Sequence, residues 1–266
     1  MNITSLSVDE LQAKSRKRFS GRRFVLWQGD MTKLKVDAIV NSANKSLLGG
    51  NSMSEVIHQA AGPLLLRECA TLGGCEVGDA KITKGYNLFS KAVIHAVGPE
   101  YSVEPEGAEE KIKSCYKKCL EICEQYHLRS VAFQLISCGT YEFPLQQGAQ
   151  LSVDVVTDYI QKNPKSSLND FVFTVTKNNE VDIFKQVFEG SKQLEEDKEY
   201  IEKQKQKELD KHKYKDKQKQ KEQEQKKEQD KKQKEQEQKK EKEQDKKKEK
   251  EQKDKKKDKK KDKKDD

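Results

Sequence analysis

The amino-acid pattern predicts an α/β domain of three layers, a sheet covered by helices on both faces, followed by a charged tail with no core of its own. Three observations carry this reading. Strand-length runs rich in β-branched residues recur along the first 190 residues, helical periodicities alternate with them, and the composition changes abruptly afterwards. Strands that read as continuous apolar runs are those buried on both faces, and their alternation with amphipathic helices is the signature of helices packed on two sides of one sheet.

The strand candidates are Phe24–Gln28, Ala38–Asn41, Ala92–Val97, Val131–Ile136 and Phe171–Thr176, with Ile82–Tyr86 weaker. Helical patterns fall at Glu55–Leu72, Glu109–Tyr126, Leu145–Gln161 and Val181–Glu189. The expected division is an N-terminal extension over residues 1–18, the folded domain over 19–190 and a low-complexity tail over 191–266. Ligands of such sheets bind where loops leave the carboxyl ends of the strands.

Charge separates the domain from the tail. Up to residue 190 there are 22 Lys/Arg and 22 Asp/Glu, so the domain offers no electrostatic case for nucleic acid; after it, 32 Lys face 24 Asp/Glu, which accounts for the whole net charge of +8. From Lys215 to Asp266 only Lys, Asp, Glu and Gln occur. Such a stretch has nothing apolar to set against an ordering cost of about 1–2 kcal/mol per residue, so disorder or a single solvated helix is expected. The segment Lys221–Lys227 is repeated at Lys234–Lys240, without the apolar seam of a coiled coil. Contact with polyanions through this nearly balanced tail, densest in Lys at Lys255–Lys264, is expected to be weak.

The N-terminus carries no apolar leader and no run reaches the ~20 residues of a membrane span, so a soluble cytoplasmic or nuclear protein is expected, without membrane association. Of six cysteines, Cys115, Cys119 and Cys123 share one helical face, which reads as core in preference to a metal site; pairs with zinc-ligand spacing are absent, and neither metal nor cofactor is expected.

The informative stretch is Gln28–Gly62. Strand ends are followed by Gly29-Asp30, by Asn41 and Asn44, and by Gly49-Gly50 before a helix. Polar loops with free backbone N–H groups at a helix N-terminus suit a phosphorylated or ribose-bearing ligand, although a plain turn-rich connection has the same look.

The motifs, taken in order, resemble the macro domain family. They are Gly29-Asp30-Met31-Thr32, Val36-Asp37-Ala38-Ile39-Val40-Asn41-Ser42-Ala43-Asn44, Leu47-Leu48-Gly49-Gly50, Ile57-His58-Gln59-Ala60-Ala61-Gly62-Pro63, Gly78-Asp79-Ala80-Lys81-Ile82-Thr83-Lys84-Gly85-Tyr86-Asn87-Leu88 and Val93-Ile94-His95-Ala96-Val97-Gly98-Pro99. The likeness is to the MacroD-like branch and covers roughly residues 20–190. It implies a three-layer α/β/α fold with a mixed central sheet and a cleft for ADP-ribose, free or carried by a protein. By this resemblance Asp30 accepts the adenine amino group as a charge-assisted hydrogen bond, with Met31 and Ile39 nearby. Asn44 stands at the position that orients the distal ribose, and Asn41, Gly49 and Gly50 are expected to bind the ligand with it. The loop Ser137-Cys138-Gly139-Thr140-Tyr141-Glu142-Phe143-Pro144 matches the family's second loop, so Ser137, Gly139, Thr140 and Tyr141 are expected around the diphosphate and distal ribose.

Three departures from the family pattern stand out. Hydrolytic members carry an acid, held to activate or orient water, where this chain has Ser54; a neutral hydroxyl is a poor base at pH 7. Of the catalytic set Asn44 and His58 remain, while Glu55 points elsewhere on a regular helix, about 100° round. Glu142 replaces a glycine. The residue expected to stack on adenine is Thr176, or Val175 with a one-residue shift, in place of an aromatic. The expected function is therefore a binder with degraded catalysis. The alternatives are an active ADP-ribosyl hydrolase or O-acetyl-ADP-ribose deacetylase, and a non-binding scaffold acting through its tail.

Overall fold

A computed structural model describes residues 5–50, 52–215, 217–219 and 221–222. The described residues fall into two units, one ending at Lys198 and the other beginning at Glu199.

The first unit is built on an eight-stranded mixed sheet. Its strands are β2 (Ser15–Phe19), β3 (Arg22–Gln28), β5 (Ala38–Ala43), β6 (Ala80–Lys84), β7 (Ala92–Val97), β8 (Ser130–Phe133), β9 (Asp170–Val175) and β10 (Glu195–Glu196). The order is β10-β2-β3-β9-β8-β5-β7-β6. The five central strands, β3 through β7 in that order, run parallel, and the pairs β10-β2, β2-β3 and β7-β6 are antiparallel. Two short strands, β1 (Leu6–Ser7) and β4 (Leu34–Lys35), pair separately.

Side chains alternate across the sheet because the strand period is two. Phe24 and Leu26 face the helices α3 (Ala108–Gln125), α4 (Leu145–Lys162) and α5 (Asn178–Gly190). Val25 and Trp27 face the other layer, made of α1 (Ser52–Ala61), α2 (Pro63–Thr71), the 3₁₀ turn Met31–Lys33 and the N-terminal residues Val8 and Leu11. The three-layer expectation holds, and Cys115, Cys119 and Cys123 are fully buried in the α3 side of the core.

The helix expected over Glu55–Leu72 is two helices. Gly62 takes φ 82° and Pro63 opens α2, a pair that ends one helix and starts the next, since proline has no N–H to continue the first. The strand expected over Val131–Ile136 pairs only to Phe133, where Thr174 Oγ1 donates to the Phe133 carbonyl at 2.8 Å and the chain leaves the sheet. Basic Ser15–Phe19, placed almost wholly in the N-terminal extension by the sequence, enters the sheet as β2, with Lys17 pairing to Glu196 and Arg18 to Asp197 across the β10 edge.

In the second unit, residues 199–215 are helical, with Lys203–Glu199 and Gln206–Asp210 pairs at i,i+4. The expectations for residues 223–266, including the second repeat copy and Lys255–Lys264, lie outside the described residues. No helix among the described residues is long and apolar enough to cross a membrane.

Candidate functional site

The parallel strands β3, β5, β7, β8 and β9 end together, at Gln28, Ala43, Val97, Phe133 and Val175, and the loops that follow them enclose an open cleft. Its wider hollow, about 220 Å³, is lined by Gly29, Met31, Met53, Gln134, Thr176 and Glu180 among others. A narrower hollow, about 70 Å³, continues past Ser42, Met53, Gln134, Ser137, Gly139, Thr140 and Tyr141. A third opening adjoins Asn44, Gly98 and Tyr141.

At the wide end Asp30 caps the 3₁₀ turn. Its Oδ1 accepts from Thr32 N at 3.0 Å and Thr32 Oγ1 at 2.7 Å, while Oδ2 stays toward solvent, 4.0 Å from Lys33 Nζ. One carboxylate oxygen therefore builds the turn and the other is available to a donor. Across the hollow, Glu180 ties down the backbone N–H groups of Thr176 and Lys177 at 2.8 and 3.1 Å, which fixes where Thr176 stands.

The loop after β8 is shaped by two residues in the left-handed region, Ser137 at φ 61° and Glu142 at φ 60°. Left-handed backbone is costly for side-chain-bearing residues, and hydrogen bonds hold the loop in it: Phe143 N donates to Ser137 O at 2.9 Å and Glu142 N to Gly139 O at 3.0 Å. The Glu142 side chain is exposed. Helix α4 begins at once, and Pro144 gives it no side-chain cap, so its first N–H groups remain open to an anion. Two polar groups at the cleft floor, Gln134 Nε2 and Ser137 Oγ, are buried without a protein partner. Native proteins rarely leave such groups unsatisfied.

The loop after β5 is held by Asn44, whose Nδ2 donates to Gly49 O at 2.7 Å and whose Oδ1 accepts from Ser46 Oγ at 2.8 Å and Leu47 N at 3.2 Å. Gly49 and Gly50 follow at φ 87° and 95°. Asn44 thus spends its amide on shaping the loop, with Gly50 beside it.

Ile39 and Asn41 stand elsewhere. Ile39 is fully buried in the core beneath α1 and α2 and lines none of these hollows. Asn41 is also fully buried; its Nδ2 donates to Ser54 Oγ at 3.0 Å and to His95 Nδ1 at 3.1 Å. Both belong to the support behind the cleft. Ser54 is 1% exposed and faces this network, so its hydroxyl is structural in placement. His58 lies behind the glycine loop, its ring 6.1 Å from that of His95. Burial lowers the His58 pKa, with Glu55 opposing, and burial lowers that of His95 to about 3, so both rings are neutral near pH 7. Glu55 is exposed; its Oε1 accepts from Gln59 at 3.2 Å.

Met53, Gln134 and Glu180 were not among the sequence candidates. Gln134 is the one polar residue inside the apolar run Val131–Ile136, and a lone polar residue in a strand pattern does not by itself mark a site.

Fold and site together define an α/β domain with a polar cleft at the carboxyl ends of parallel strands. Comparison with known proteins narrows this further. The family described as Macro domain matches residues 40–152. A macro domain-containing protein of Methanosarcina mazei is 48% identical over 141 residues, covering 53% of this chain and 75% of that protein. ADP-ribose glycohydrolase MACROD2 of Mus musculus is 45% identical over 153 residues, covering 57% of this chain but only 32% of that protein. Among solved structures, the Trypanosoma brucei macrodomain in complex with ADP-ribose is 31% identical with a TM-score of 0.63, covering 68% of this chain and 76% of that one. The chain belongs to the macro domain family.

Proposed function

We propose that this protein binds ADP-ribose, free or attached to a protein, and that its hydrolytic chemistry is degraded. The observation that carries the reading is the pair of unpartnered buried groups, Gln134 Nε2 and Ser137 Oγ, on the floor of a cleft bordered by the open N-terminus of α4. Such groups cost about 1–3 kcal/mol when left unpaired, and a phosphate or ribose oxygen relieves that cost. In this assignment Asp30 Oδ2 accepts the adenine amine, Met31 and Thr176 flank the base, and residues 137–141 with the α4 N-terminus hold the diphosphate. Asn44, Gly49 and Gly50 meet the distal ribose, and Ile39 and Asn41 act from behind. The macrodomain of Trypanosoma brucei solved with ADP-ribose supports the ligand class.

Degraded catalysis rests on Ser54, a buried neutral hydroxyl accepting a hydrogen bond from Asn41. It offers water no base. A second reading, active hydrolysis, draws on Glu55, whose Oε2 stands 3.4 Å from where a β-carbon on Gly49 would lie, and on the relatives named ADP-ribose glycohydrolases.

The test is calorimetric titration of ADP-ribose into the full chain, followed by incubation with a mono-ADP-ribosylated protein. Binding without release of ADP-ribose is expected. Release abolished by Glu55→Gln favours the second reading, and absence of both binding and release overturns both.

A further inference from the structure

Behind the cleft, three metal-ligating side chains from three elements converge. A ring nitrogen of His58 on α1, Cys69 Sγ on α2 and a ring nitrogen of His95 on β7 all lie within 4.8 Å of one another. Cys69 and His95 are fully buried, and His58 Nε2 is shielded from solvent. We propose that His58, Cys69 and His95 form a binding site for a zinc-class divalent cation, which would clip α1 and α2 to the sheet.

Several observations converge on this. The buried His58 Nε2 makes no hydrogen bond within the protein, although a ring nitrogen out of water calls for a partner. His95 Nε2 lies 3.6 Å from Cys69 Sγ. A tetrahedral ion with a Zn–N bond of about 2.1 Å and a Zn–S bond of about 2.3 Å sets its nitrogen and sulfur ligands about 3.6 Å apart, so these two are already spaced as an edge. His58 need approach by only about 1 Å to complete a face, judged against the same bond lengths. Two imidazoles and a thiolate are a donor set for borderline-soft ions, not for calcium or magnesium.

The surroundings meet the requirements of such a site. For Nε2 of His95 to present its lone pair, the ring proton must sit on Nδ1 and be accepted there. Asn41 stands at that nitrogen, 3.1 Å away, with its Oδ1 making no hydrogen bond in the protein; turned over, the amide accepts the proton where it now donates one. Thr83 Oγ1, 2.9 Å from His95 Nε2, or a water takes the fourth position. Burial holds the free Cys69 thiol protonated, its pKa pushed up to about 11. Uptake of the cation therefore breaks the S–H bond, forms the metal–sulfur bond and releases one proton to solvent. The bound site carries a net charge of +1, with Glu55 beside His58 and Glu68 beside Cys69 to offset it.

The test uses the full chain, stripped with chelator and titrated with Zn²⁺ against a competing chromophoric chelator, then with Co²⁺ while the thiolate-to-metal absorption is followed. One equivalent is expected, with tetrahedral Co²⁺ bands and a thiolate transition. His58→Gln should weaken binding at least ~10–100-fold, the loss that even an outer-shell change brings, and Cys69→Ser should remove the thiolate transition. His58 Nε2 has no partner to lose, so His58→Gln remains informative if Cys69→Ser fails to fold. His212→Asn in the second unit should leave both affinity and spectrum unchanged. Failure to take up one equivalent, or uptake that His58→Gln leaves intact, overturns the proposal.

Discussion

Replacing Gly98 with alanine tests how tightly the phosphate-side loop is seated. A β-carbon at Gly98 would stand 2.1 Å from Ser137 Oγ and 2.7 Å from Ile136 Cγ2, both closer than real contacts allow. The hydroxyl can rotate away. Ile136 is fully buried and cannot, so either the loop or the strand end must shift. Overpacking of this kind costs about 1–3 kcal/mol, and a shift of the loop carries Ser137 and Gly139 off the cleft floor. Gly139 is the internal control: a β-carbon there would have nothing within 4 Å, and its φ is not left-handed. Urea unfolding should therefore show Gly98→Ala destabilised by about 1–3 kcal/mol and Gly139→Ala within about 0.5 kcal/mol of the parent. Calorimetry should show ADP-ribose affinity falling at least tenfold in the first variant, the equivalent of about 1.4 kcal/mol. Equal stability and equal affinity for Gly98→Ala and the parent would refute this account of the loop.

Other outcomes follow from the same geometry. Asp30→Asn, which keeps an acceptor at the 3₁₀ cap, should leave the melting temperature nearly unchanged yet weaken ADP-ribose about 10- to 100-fold, the value of a hydrogen bond to a charged group; unchanged affinity would remove Asp30 from the adenine site. Thr176→Phe places an aromatic face beside the wide hollow and should tighten binding about 2- to 10-fold, from about 0.5–1.5 kcal/mol of stacking, read by the same titration. Glu142→Gly relieves a left-handed φ of 60° and should raise stability by about 1 kcal/mol; because the side chain is exposed and screened, affinity should change less than about threefold. The lowered pKa of His95 makes stability depend on pH: the unfolded ring binds a proton near 6.5 that the folded ring refuses until about 3, so this contribution is complete above 6.5 and is lost as pH falls. Between pH 7 and 5.5 the chelator-stripped chain should lose about 1 kcal/mol from this group, with His58 acting in the same direction, and His95→Gln should flatten the profile measured by urea unfolding in the presence of chelator.

The parts legible from sequence were those where one physical pattern dominates. Ala92–Val97 is a six-residue strand buried throughout, and its apolar run, broken only by His95, could be little else. Ser15–Phe19 escaped because its Lys and Arg are satisfied by Glu196 and Asp197, nearly 180 residues away, a compensation no local window contains. The break at Gly62-Pro63 was written in the sequence, yet the helical pattern on either side concealed it. Of the residues marked by motif, Met31, Ser137, Gly139, Thr140, Tyr141 and Thr176 line the two hollows and Asn44 the third opening, while Asp30, Gly49 and Gly50 are held in the neighbouring loops. Ile39 and Asn41 sit behind the cleft, since alternation along β5 turns both inward. The grouping of His58, Cys69 and His95 arises only when α1, α2 and β7 are packed together, so spacing rules for metal ligands pass over it.

The central claim is that ADP-ribose occupies the cleft and satisfies the buried groups on its floor. The most direct measurement is the ¹H–¹⁵N correlation spectrum of the full chain with increasing ADP-ribose, with the Gln134 side-chain amide assigned. That amide, together with the backbone amides of residues 137–141 and the first turn of α4, should shift in step and saturate at one equivalent. A spectrum unchanged at millimolar ligand, or shifts confined to residues outside the cleft, would contradict it.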